Sequence, residues 1–529
     1  MSGLPASFDA PAPLLPEILT LHGRWQGRKP ALICGGKSYS WAQLDRRLNQ
    51  VANGLNALGI GRGDMVAVMM KNGVDMVEAM FGAIKAGAAA VPLNLSVSDE
   101  GLARQIHDCG ARAIVATPAE AGRIDGFRAQ LPALRHNGFL LSGGERPGWT
   151  AFGSWRDGQG AAAPAAAVTD EDPCNIIYSS GTTGLPKGIV HSHRRRLDWA
   201  YDLAIALRYH PGAVTVCSIG LFSNISWVCL LCTFLAGGTI VVLPEFSPRT
   251  FLEATSRHRA THTAMVPLQY QKVLDDPEFN REQVASLHAV MSCGSPLHAG
   301  LKKRLFEELG CDLIELYGLT EGLITTLAPE EAEGRLASVG KPLPGTDLKI
   351  IGEDGTEVPA GTAGEIAGYG RIVMTGYHNR PDATREAMWQ APDGRIWLRT
   401  GDIGRLDEDG FLYIVDRKKD MILSGGQNIF PADIEAVMAE HPEVEDVGVI
   451  GVPHEKWGET PLALVVPKPG AKVTEAELLA WTNERVGRQQ RISAVEFRTD
   501  LPRNPNGKLL KRELRAPYWD GGTGGEGNG

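Results

Sequence analysis

The start of the chain alternates helix and strand patterns in an order that restricts the fold. Ser40 and Gln43 form a capping box, a pairing that begins many helices, ahead of an apolar stripe with helical spacing. A strand-like apolar run at 65–70 follows, then a second helical pattern at 74–86 and a second strand at 89–93. This β–α–β order is repeated later and predicts an α/β fold with much parallel sheet.

The pattern changes near Asp416, where a charged and glycine-rich stretch (DRKKDMILSGGQNIFP) begins, and Pro431 then marks a helix start. We expect a large N-terminal domain of several α/β subdomains with parallel sheets (1–416). A hinge should join it to a small C-terminal α+β domain (417–518). The glycine-rich end (519–529) cannot bury apolar surface and is predicted to be a disordered tail.

Composition excludes some classes of function. The chain has 529 residues, a net charge of -9 and no long basic block, so we expect no nucleic-acid partner. Eight cysteines are too sparse for a disulfide framework, and no secretion signal accompanies them. We therefore expect a cytoplasmic protein with reduced thiols, in which Cys229 and Cys232 lie in the core rather than in a metal or redox site.

Residues 211–244 carry no charge over a length that could span a bilayer. Glycine and polar residues interrupt the run, so we expect a buried segment beside a pocket and no integral membrane insertion.

Residues 179–189 (SSGTTGLPKGI) bring together two serines, two threonines, three glycines and one lysine. The stretch is not a Walker A motif, because Lys187 follows a proline and precedes a glycine. The physical idea is the same, since glycines let the backbone approach an anion, hydroxyls donate and a lysine neutralises charge. The loop is predicted to bind a phosphate.

Four further motifs follow in order. They are ELYGLTEG (Glu315–Gly322), WLRTGDIG (Trp397–Gly404), VDRKKDMILSGGQNIFP (Val415–Pro431) and PRNPNGKLLKREL (Pro502–Leu514). With the phosphate loop, they resemble the motifs of the adenylate-forming superfamily, which includes acyl-CoA synthetases, coumarate-CoA ligases, firefly luciferase and peptide-synthetase adenylation domains. The resemblance covers most of the chain and implies an AMP-forming acyl-CoA ligase with ATP, a carboxylic acid and CoA as substrates.

The resemblance implies a nucleotide site at the matching positions. Its residues would be Ser179, Ser180, Gly181, Thr182, Thr183, Gly184, Lys187, Gly294, Ser295, Pro296, Tyr317, Gly318, Thr320, Asp402 and Arg417. Among them, Tyr317 would stack on adenine, and Asp402 would bind the ribose hydroxyls with the help of Arg417.

The resemblance also implies the catalytic, metal, hinge and CoA residues. Lys508, Thr320 and Lys187 would be catalytic, Glu321 would hold Mg²⁺, Lys419 would lie at the hinge, and Ser424, Gly425 and Gly426 would bind CoA. These residue types suit the reaction, because a carboxylate and the α-phosphate of ATP repel each other until positive charge screens them. No general base is needed, since the acid is already ionised at neutral pH.

The acyl pocket is predicted from the stretch LFSNISW. Amino-acid-activating relatives have an aspartate where this chain has Ser223, and many coumarate and fatty-acid ligases have a histidine there. A buried ammonium without a carboxylate partner is costly, so we do not expect an α-amino acid. We expect an apolar fatty, aryl or arylalkyl group. The predicted pocket residues, which could equally be ordinary core, are Phe222, Ser223, Trp227 and Cys293.

Two other functions stay open. One is a stand-alone adenylating enzyme that loads a carrier protein, and the other is a non-catalytic ATP-binding relative, against which the intact Lys187, Glu321, Asp402 and Lys508 argue. His191 and His193 have no third ligand nearby, so residues 191–196 are predicted to begin a helix with a solvated basic face. The sequence does not fix the oligomeric state, and a homodimer is one option.

Overall fold

A computed structural model describes residues 12–164, 168–179, 187–425, 427–504 and 507–519. In chain order the helices are α1 (Leu15–Trp25), α2 (Trp41–Ala57), α3 (Val74–Lys85), α4 (Asp99–Cys109), α5 (Pro118–Phe127), α6 (Phe152–Asp157), α7 (His193–Ala206), α8 (Asn224–Ala236), α9 (Pro248–His258), α10 (Pro267–Leu274), α11 (Arg281–Val284), α12 (Ala299–Leu309), α13 (Pro381–Glu386), α14 (Pro431–Ala439), α15 (Glu475–Arg485) and α16 (Lys511–Trp519).

The strands are β1 (Pro30–Cys34), β2 (Lys37–Ser40), β3 (Met65–Met69), β4 (Ala89–Pro92), β5 (Ala113–Ala116), β6 (Phe139–Leu141), β7 (Thr150–Ala151), β8 (Pro173–Ser179), β9 (Lys187–Ser192), β10 (Val214–Cys217), β11 (Thr239–Val242), β12 (His262–Met265), β13 (Ala289–Ser292), β14 (Asp312–Gly318), β15 (Ile324–Leu327), β16 (Lys341–Pro342), β17 (Thr346–Ile351), β18 (Gly364–Gly370), β19 (Gly376–Tyr377), β20 (Met388–Gln390), β21 (Ile396–Leu406), β22 (Leu412–Arg417), β23 (Ile422–Ser424), β24 (Gln427–Ile429), β25 (Val444–His454), β26 (Gly458–Pro467) and β27 (Ala494–Phe497).

Two large sheets share one layer of helices. The first sheet has the order β19-β9-β8-β4-β3-β5-β6-β7 and the second β16-β15-β14-β13-β12-β10-β11-β1-β2, and the central pairs in both are parallel. Helices α2, α3 and α8 pack between the sheets, because one hydrophobic cluster contains Val66 of the first sheet, Ile240 of the second, and Phe81 and Trp227 of the helices.

The strands are buried on both faces, as parallel strands covered by helices must be. In β3, Val66 and Val68 face the shared helix layer, whereas Ala67 and Met69 face α4 and α5 on the other side. In β11, Ile240 faces the shared layer and Val241 the outer helices α9 and α10. The predicted α/β fold with parallel sheets is confirmed.

An antiparallel sheet and a mixed sheet, in which β27 alone pairs in parallel with β26, complete the described structure. One has the order β17-β18-β21-β20 with β22 on β21, and the other has the order β24-β23-β26-β25 with β27 on β26. Helices α14 and α15 pack on the last sheet through Ile434, Met438 and Leu478. The smaller C-terminal unit is thus built as predicted, and the exact domain boundaries stay predictions.

Local expectations agree with the elements to within a residue or two. The capping box of α2 is present, with Ser40 Oγ accepting from Gln43 N at 3.3 Å. Trp519, the first residue of the predicted tail (519–529), is the last residue of α16, and its indole donates to Gly451 O at 3.0 Å. Residues 520–529 lie outside the described residues.

The uncharged stretch at 211–244 forms β10, α8 and β11, and Cys229 and Cys232 are buried core residues of α8, as predicted. Of the helices in the described ranges, none combines the length and the apolar character needed to cross a bilayer.

Phe81 should be among the side chains on which this core depends. Its ring lies 4.9 Å from that of Phe234 and 5.9 Å from that of Trp227, and it is fully buried. We expect Phe81→Ala to lower the free energy of unfolding by about 3–5 kcal/mol, because a cavity replaces the ring. Urea unfolding followed by tryptophan fluorescence measures this. Ile205→Ala, at an exposed position of α7, should change stability by less than about 0.5 kcal/mol, and equal effects would contradict this packing.

Candidate active site

The predicted substrate segments converge at one edge of the second sheet. The parallel strands β12, β13 and β14 end there, and ligands of open α/β sheets bind at such an edge. The predicted segment at 293–296 follows β13, and 317–321 lies at the end of β14. Residues that follow β12 face the C-terminal domain, because a Cβ on Gly507 would lie 3.9 Å from Val266 and from Leu268. The space between this edge and the loop that carries Lys508 is called the cleft below.

Tyr317 and Asp402, predicted to bind adenine and ribose, lie against each other in the cleft. Tyr317 donates its hydroxyl to Asp402 Oδ2 at 2.7 Å. Arg417 Nε lies 3.2 Å from Asp402 Oδ1, since the two residues are paired on the adjacent antiparallel strands β21 and β22. Burial, reinforced by Asp402, raises the pKa of Tyr317, so its hydroxyl remains a donor.

Thr320 and Glu321 lie in the turn after β14, and hydrogen bonds from two other segments fix the backbone of that turn. His191 Nε2 lies 2.7 Å from Thr320 O and must donate, because a carbonyl only accepts. Met374 N donates to Glu321 O at 2.7 Å, and this backbone bond ties the turn to the segment after β18. Gly322 follows with φ 113°, and a Cβ there would lie 2.2 Å from Ile372 O, so the turn requires glycine.

Glu321, predicted to hold the metal, lies beside a tyrosine and a lysine. Tyr377 donates its hydroxyl to Glu321 Oε1 at 3.0 Å, and Lys187 Nζ lies 4.8 Å from the centroid of the Tyr377 ring. Burial raises the pKa of Glu321, while Tyr377, Arg417 and Lys187 act in the opposite direction. The structure therefore brings the predicted Lys187 and Glu321 together around Tyr377.

Lys508 enters the cleft from the C-terminal domain. Its backbone N donates to Asn504 Oδ1 at 2.9 Å, and Arg503 donates to Gly507 O at 2.6 Å, so the loop is held on both sides of the lysine. Burial, and after it the repulsion of Arg417 and Lys419, lowers the pKa of Lys508 to about 7. Asp402 and Asp420 act in the opposite direction. The buried amine is therefore within electrostatic range of Asp402, the carboxylate that accepts from Tyr317.

The chain changes its side-chain partners within the predicted hinge. Lys418 Nζ lies 3.1 Å from Glu365 of the large domain, and Lys418 N donates to Gly401 O at 2.9 Å. The next residue, Lys419, accepts through its carbonyl from Arg515 of the last helix at 3.5 Å. Lys418 is thus tied to the large domain and Lys419 to the last helix, on either side of one peptide bond. Contacts with the C-terminal domain begin earlier, since Asp416 Oδ2 accepts from Ala432 N at 3.0 Å.

The predicted acyl-pocket residues come from two places: Phe222 and Ser223 directly before α8 with Trp227 within it, and Cys293 directly after β13. Ser223 caps the helix, with its Oγ accepting from Ile225 N at 3.3 Å, and Phe222 is partly exposed. Trp227 is completely buried and stacks on Phe81, so its ring is part of the hydrophobic core. Cys293 is buried directly before Gly294, which has φ 92°.

The remaining predicted residues are only partly placed. Ser180, Gly181, Thr182, Thr183 and Gly184 lie outside the described residues, although the strands on either side pair through Ser179 and Lys187. Gly426 also lies outside them. Gly425 N donates to Trp457 O at 2.8 Å, and no hydrogen bond or ion pair in the described ranges joins Ser424 or Gly425 to Asp402.

One expectation is wrong. Residues 191–196 do begin a helix, since Ser192 caps α7, but they do not form a solvated basic face. His191, His193 and Arg196 are buried, and only Arg194 of the three arginines is exposed. Burial lowers the pKa of His193 to about 4, so that ring is neutral at neutral pH.

Sequence reasoning missed His191 and Tyr377. Both lie outside the motifs on which the roles were based. Their contacts with Thr320 and Glu321 join residues far apart in the chain, so no local pattern could have indicated them.

Comparisons with known proteins cover nearly the whole chain. Residues 21–378 match the model of the AMP-binding enzyme family, and residues 433–508 match the model of the AMP-binding enzyme C-terminal domain. A feruloyl-CoA synthase of Amycolatopsis sp is 35% identical over 489 residues, which are 92% of this chain and 95% of that protein. A fatty acid–[acyl-carrier-protein] ligase of Streptomyces coeruleorubidus is 30% identical over 524 residues, 96% of each chain.

A solved structure agrees with the fold. The anthranilate CoA ligase AuaEII in complex with anthranoyl-AMP superposes with a TM-score of 0.87 at 28% identity, covering 97% of this chain and 99% of that chain. Taken with the two matching family models and the clustering of the motif residues in one cleft, this likeness shows that the chain belongs to the AMP-binding enzymes of the adenylate-forming superfamily and is of the AMP-forming acyl-CoA ligase type.

Proposed function

We propose that this ligase activates an apolar aryl, arylalkyl or fatty acid with ATP and transfers the acyl group to CoA. The observation that carries the proposal is the position of Lys508. The loop that carries this lysine lies against Val266 and Leu268, and the buried amine interacts electrostatically with Asp402 and Arg417 of the cleft. This is the arrangement that the first half-reaction requires.

In the first half-reaction, a carboxylate oxygen of the acid attacks the α-phosphorus of ATP, and the bond to pyrophosphate breaks. Lys508 supplies positive charge where the phosphorus gains negative charge, and Thr320 donates to the α-phosphate. Lys187, with Thr182 and Thr183, binds the β- and γ-phosphates. The Tyr317–Asp402 pair opens to receive the nucleoside, Asp402 taking the ribose hydroxyls and Tyr317 the adenine.

Mg²⁺ fits the donors available. In the residues that the structure covers, no group of three histidine, cysteine or acidic side chains could enclose a metal. Magnesium typically binds through one or two carboxylates and substrate phosphates, and the carboxylate of Glu321 beside Lys187 provides for that mode. When bound there with ATP, Mg²⁺ supplies positive charge to the phosphate oxygens.

In the second half-reaction, the sulfur of CoA attacks the acyl carbon, and AMP leaves. The C-terminal domain turns about Lys419, which withdraws Lys508 and brings Ser424, Gly425 and Gly426 to the acyl-adenylate. The positive φ of Gly425, 57°, and its missing side chain suit the passage of a thin pantetheine arm. The change of partners between Lys418 and Lys419 supports this pivot.

The identity of the acid is inferred from the pocket and the relatives. Ser223 gives no carboxylate for an ammonium group, so an α-amino acid is disfavoured. The feruloyl-CoA and anthranilate-CoA ligases support an aryl acid, and the fatty acid ligase supports an aliphatic one. That last relative uses a carrier protein, which makes carrier loading the second candidate function.

A substrate screen tests the proposal. Pyrophosphate release should require ATP and an acid from a panel of cinnamic, benzoic, arylpropionic and fatty acids. Free CoA should accelerate AMP release, because thioester formation removes the adenylate. Acid-dependent AMP release that responds to a carrier protein and not to CoA would favour the second candidate. No pyrophosphate release with any acid would show a non-catalytic relative.

Lys508→Ala should separate the two half-reactions. We expect adenylation to fall by about 10²- to 10³-fold, the usual effect of losing one preorganised charge. Thioester formation from supplied acyl-AMP and CoA should persist, because Lys508 has then left the cleft. Lys468→Ala, an exposed lysine of the same domain, is the matched control. Loss of both half-reactions in a folded Lys508→Ala protein would contradict the assignment.

The lowered pKa of Lys508, about 7, predicts the pH dependence of adenylation. The amine is charged below this pKa and loses its charge above it, so kcat/KM for ATP should fall by about tenfold per pH unit at higher pH. Lys508→Arg should be slower but lack this fall, because a guanidinium stays protonated. Pyrophosphate exchange from pH 6 to 9 measures both profiles, and parallel declines would exclude Lys508 as the titrating group.

A further inference from the structure

Arg196 is a buried cation for which the described residues provide no acidic partner. Its side chain is 1% exposed. Nε donates to Asn175 Oδ1 at 2.8 Å, and one terminal nitrogen donates to Asn224 Oδ1 at 3.0 Å. The guanidinium carbon lies 5.1 Å from the ring of Trp199 and 5.3 Å from that of Trp227. The other terminal nitrogen has no hydrogen-bond partner in the described part of the chain.

These contacts fix the direction of two side-chain amides. A guanidinium can only donate, so each asparagine must turn its oxygen towards Arg196 and its NH₂ group away. This settles the orientation that an amide otherwise leaves ambiguous. Asn175 is completely buried, and its NH₂ group has no acceptor among the residues described. The orientation of the Asn175 amide therefore matters only for the packing of the core.

Asn224 differs because it is partly exposed and lies at the predicted acyl pocket. It is the first residue of α8, directly after Phe222 and Ser223. Its oxygen is engaged by Arg196, and its NH₂ group donates to no residue in the described ranges. A charged donor behind the amide oxygen polarises the amide and strengthens the N–H groups on its other side.

A core network alone would account for Arg196 and Asn175 but not for this donor. Burial of an unpaired cation costs several kcal/mol, and two amide oxygens and two indole faces offset only part of it. A functional reason for burying Arg196 at this cost is that it fixes the NH₂ group of Asn224 as a donor for a ligand.

We propose that Arg196 orients Asn224 so that its amide donates into the acyl pocket and selects acids with a hydrogen-bond acceptor on the acyl group, such as an aryl ether or a ketone. Asn224 is the specificity-determining residue, and Arg196 is a positioning residue. The inference rests on the proposed function, because it concerns the acid that the ligase activates.

Matched acids test it. Cinnamic and 3-phenylpropionic acids with a methoxy group at the ortho, meta or para position are compared with the ethyl analogues, which have similar shape and no acceptor. Acid-dependent ATP–pyrophosphate exchange gives kcat/KM for each. The wild-type protein should favour the methoxy acid by about tenfold at one ring position or more, the effect of one hydrogen bond of about 1.4 kcal/mol.

Asn224→Asp is the decisive variant. The new carboxylate still accepts from Arg196 and neutralises the guanidinium charge, so the thermal midpoint of unfolding should not fall. The NH₂ donor of Asn224, however, is replaced by an oxygen that only accepts. The ratio of kcat/KM for the methoxy acid to that for the ethyl acid should drop to one or below. The cause should be a higher KM for the methoxy acid, with a smaller change in the KM for the ethyl acid. Asn53→Asp, the same change on α2 far from the pocket, should leave the ratio unaltered.

Arg196→Lys tests the positioning role. One ammonium cannot hold two amides in the manner of a guanidinium. The methoxy preference should fall while kcat for the ethyl acid persists, and if this variant does not fold, Asn224→Asp decides the question alone. Equal use of methoxy and ethyl acids by the wild type, or an unchanged ratio in Asn224→Asp, would overturn the inference and leave the proposed function intact. No exchange with any acid would overturn both.

Discussion

The cleft depends on the confinement of positive charge near one carboxylate. Lys508, Arg417 and Lys419 repel one another, and Asp402 is the nearest buried counter-charge. Without substrate this arrangement is unfavourable, and its repulsion adds to burial, the larger cause, in lowering the pKa of Lys508. ATP and a carboxylate bring the negative charge that relieves the repulsion, so the same crowding that weakens the free cleft favours the binding of two anions side by side.

The surrounding sheets and helices fix the positions of these charged groups. Asp402 and Arg417 are cross-strand partners, so their separation is set by the sheet. Thr320 and Glu321 follow a parallel strand and are held by His191 and by the backbone of Met374. The helix layer between the two large sheets joins their subdomains in one hydrophobic core.

Much of this could be predicted from the sequence, and the reasons for the failures are physical. Strand and helix positions followed from apolar periodicity and capping, as in α2. The predicted nucleotide site came from motifs, because each motif is a local segment, and its roles stay predictions. Arg196 was misjudged because charged residues are seldom buried without an acidic partner, and its partners Asn175 and Asn224 come from two separate elements. Tyr377 was missed because its partner Glu321 also lies on a separate element, far away in the chain.

The abrupt change of partners at Lys418 and Lys419 has a consequence for protein engineering. Lys418 is tied to Glu365, and Lys419 to Arg515, on either side of one peptide bond. A crossover between relatives at that bond would keep both pairs within a single parent. A grafted C-terminal module would bring its own Lys508 loop, while the recipient kept Phe222, Ser223 and Cys293 of the predicted acyl pocket.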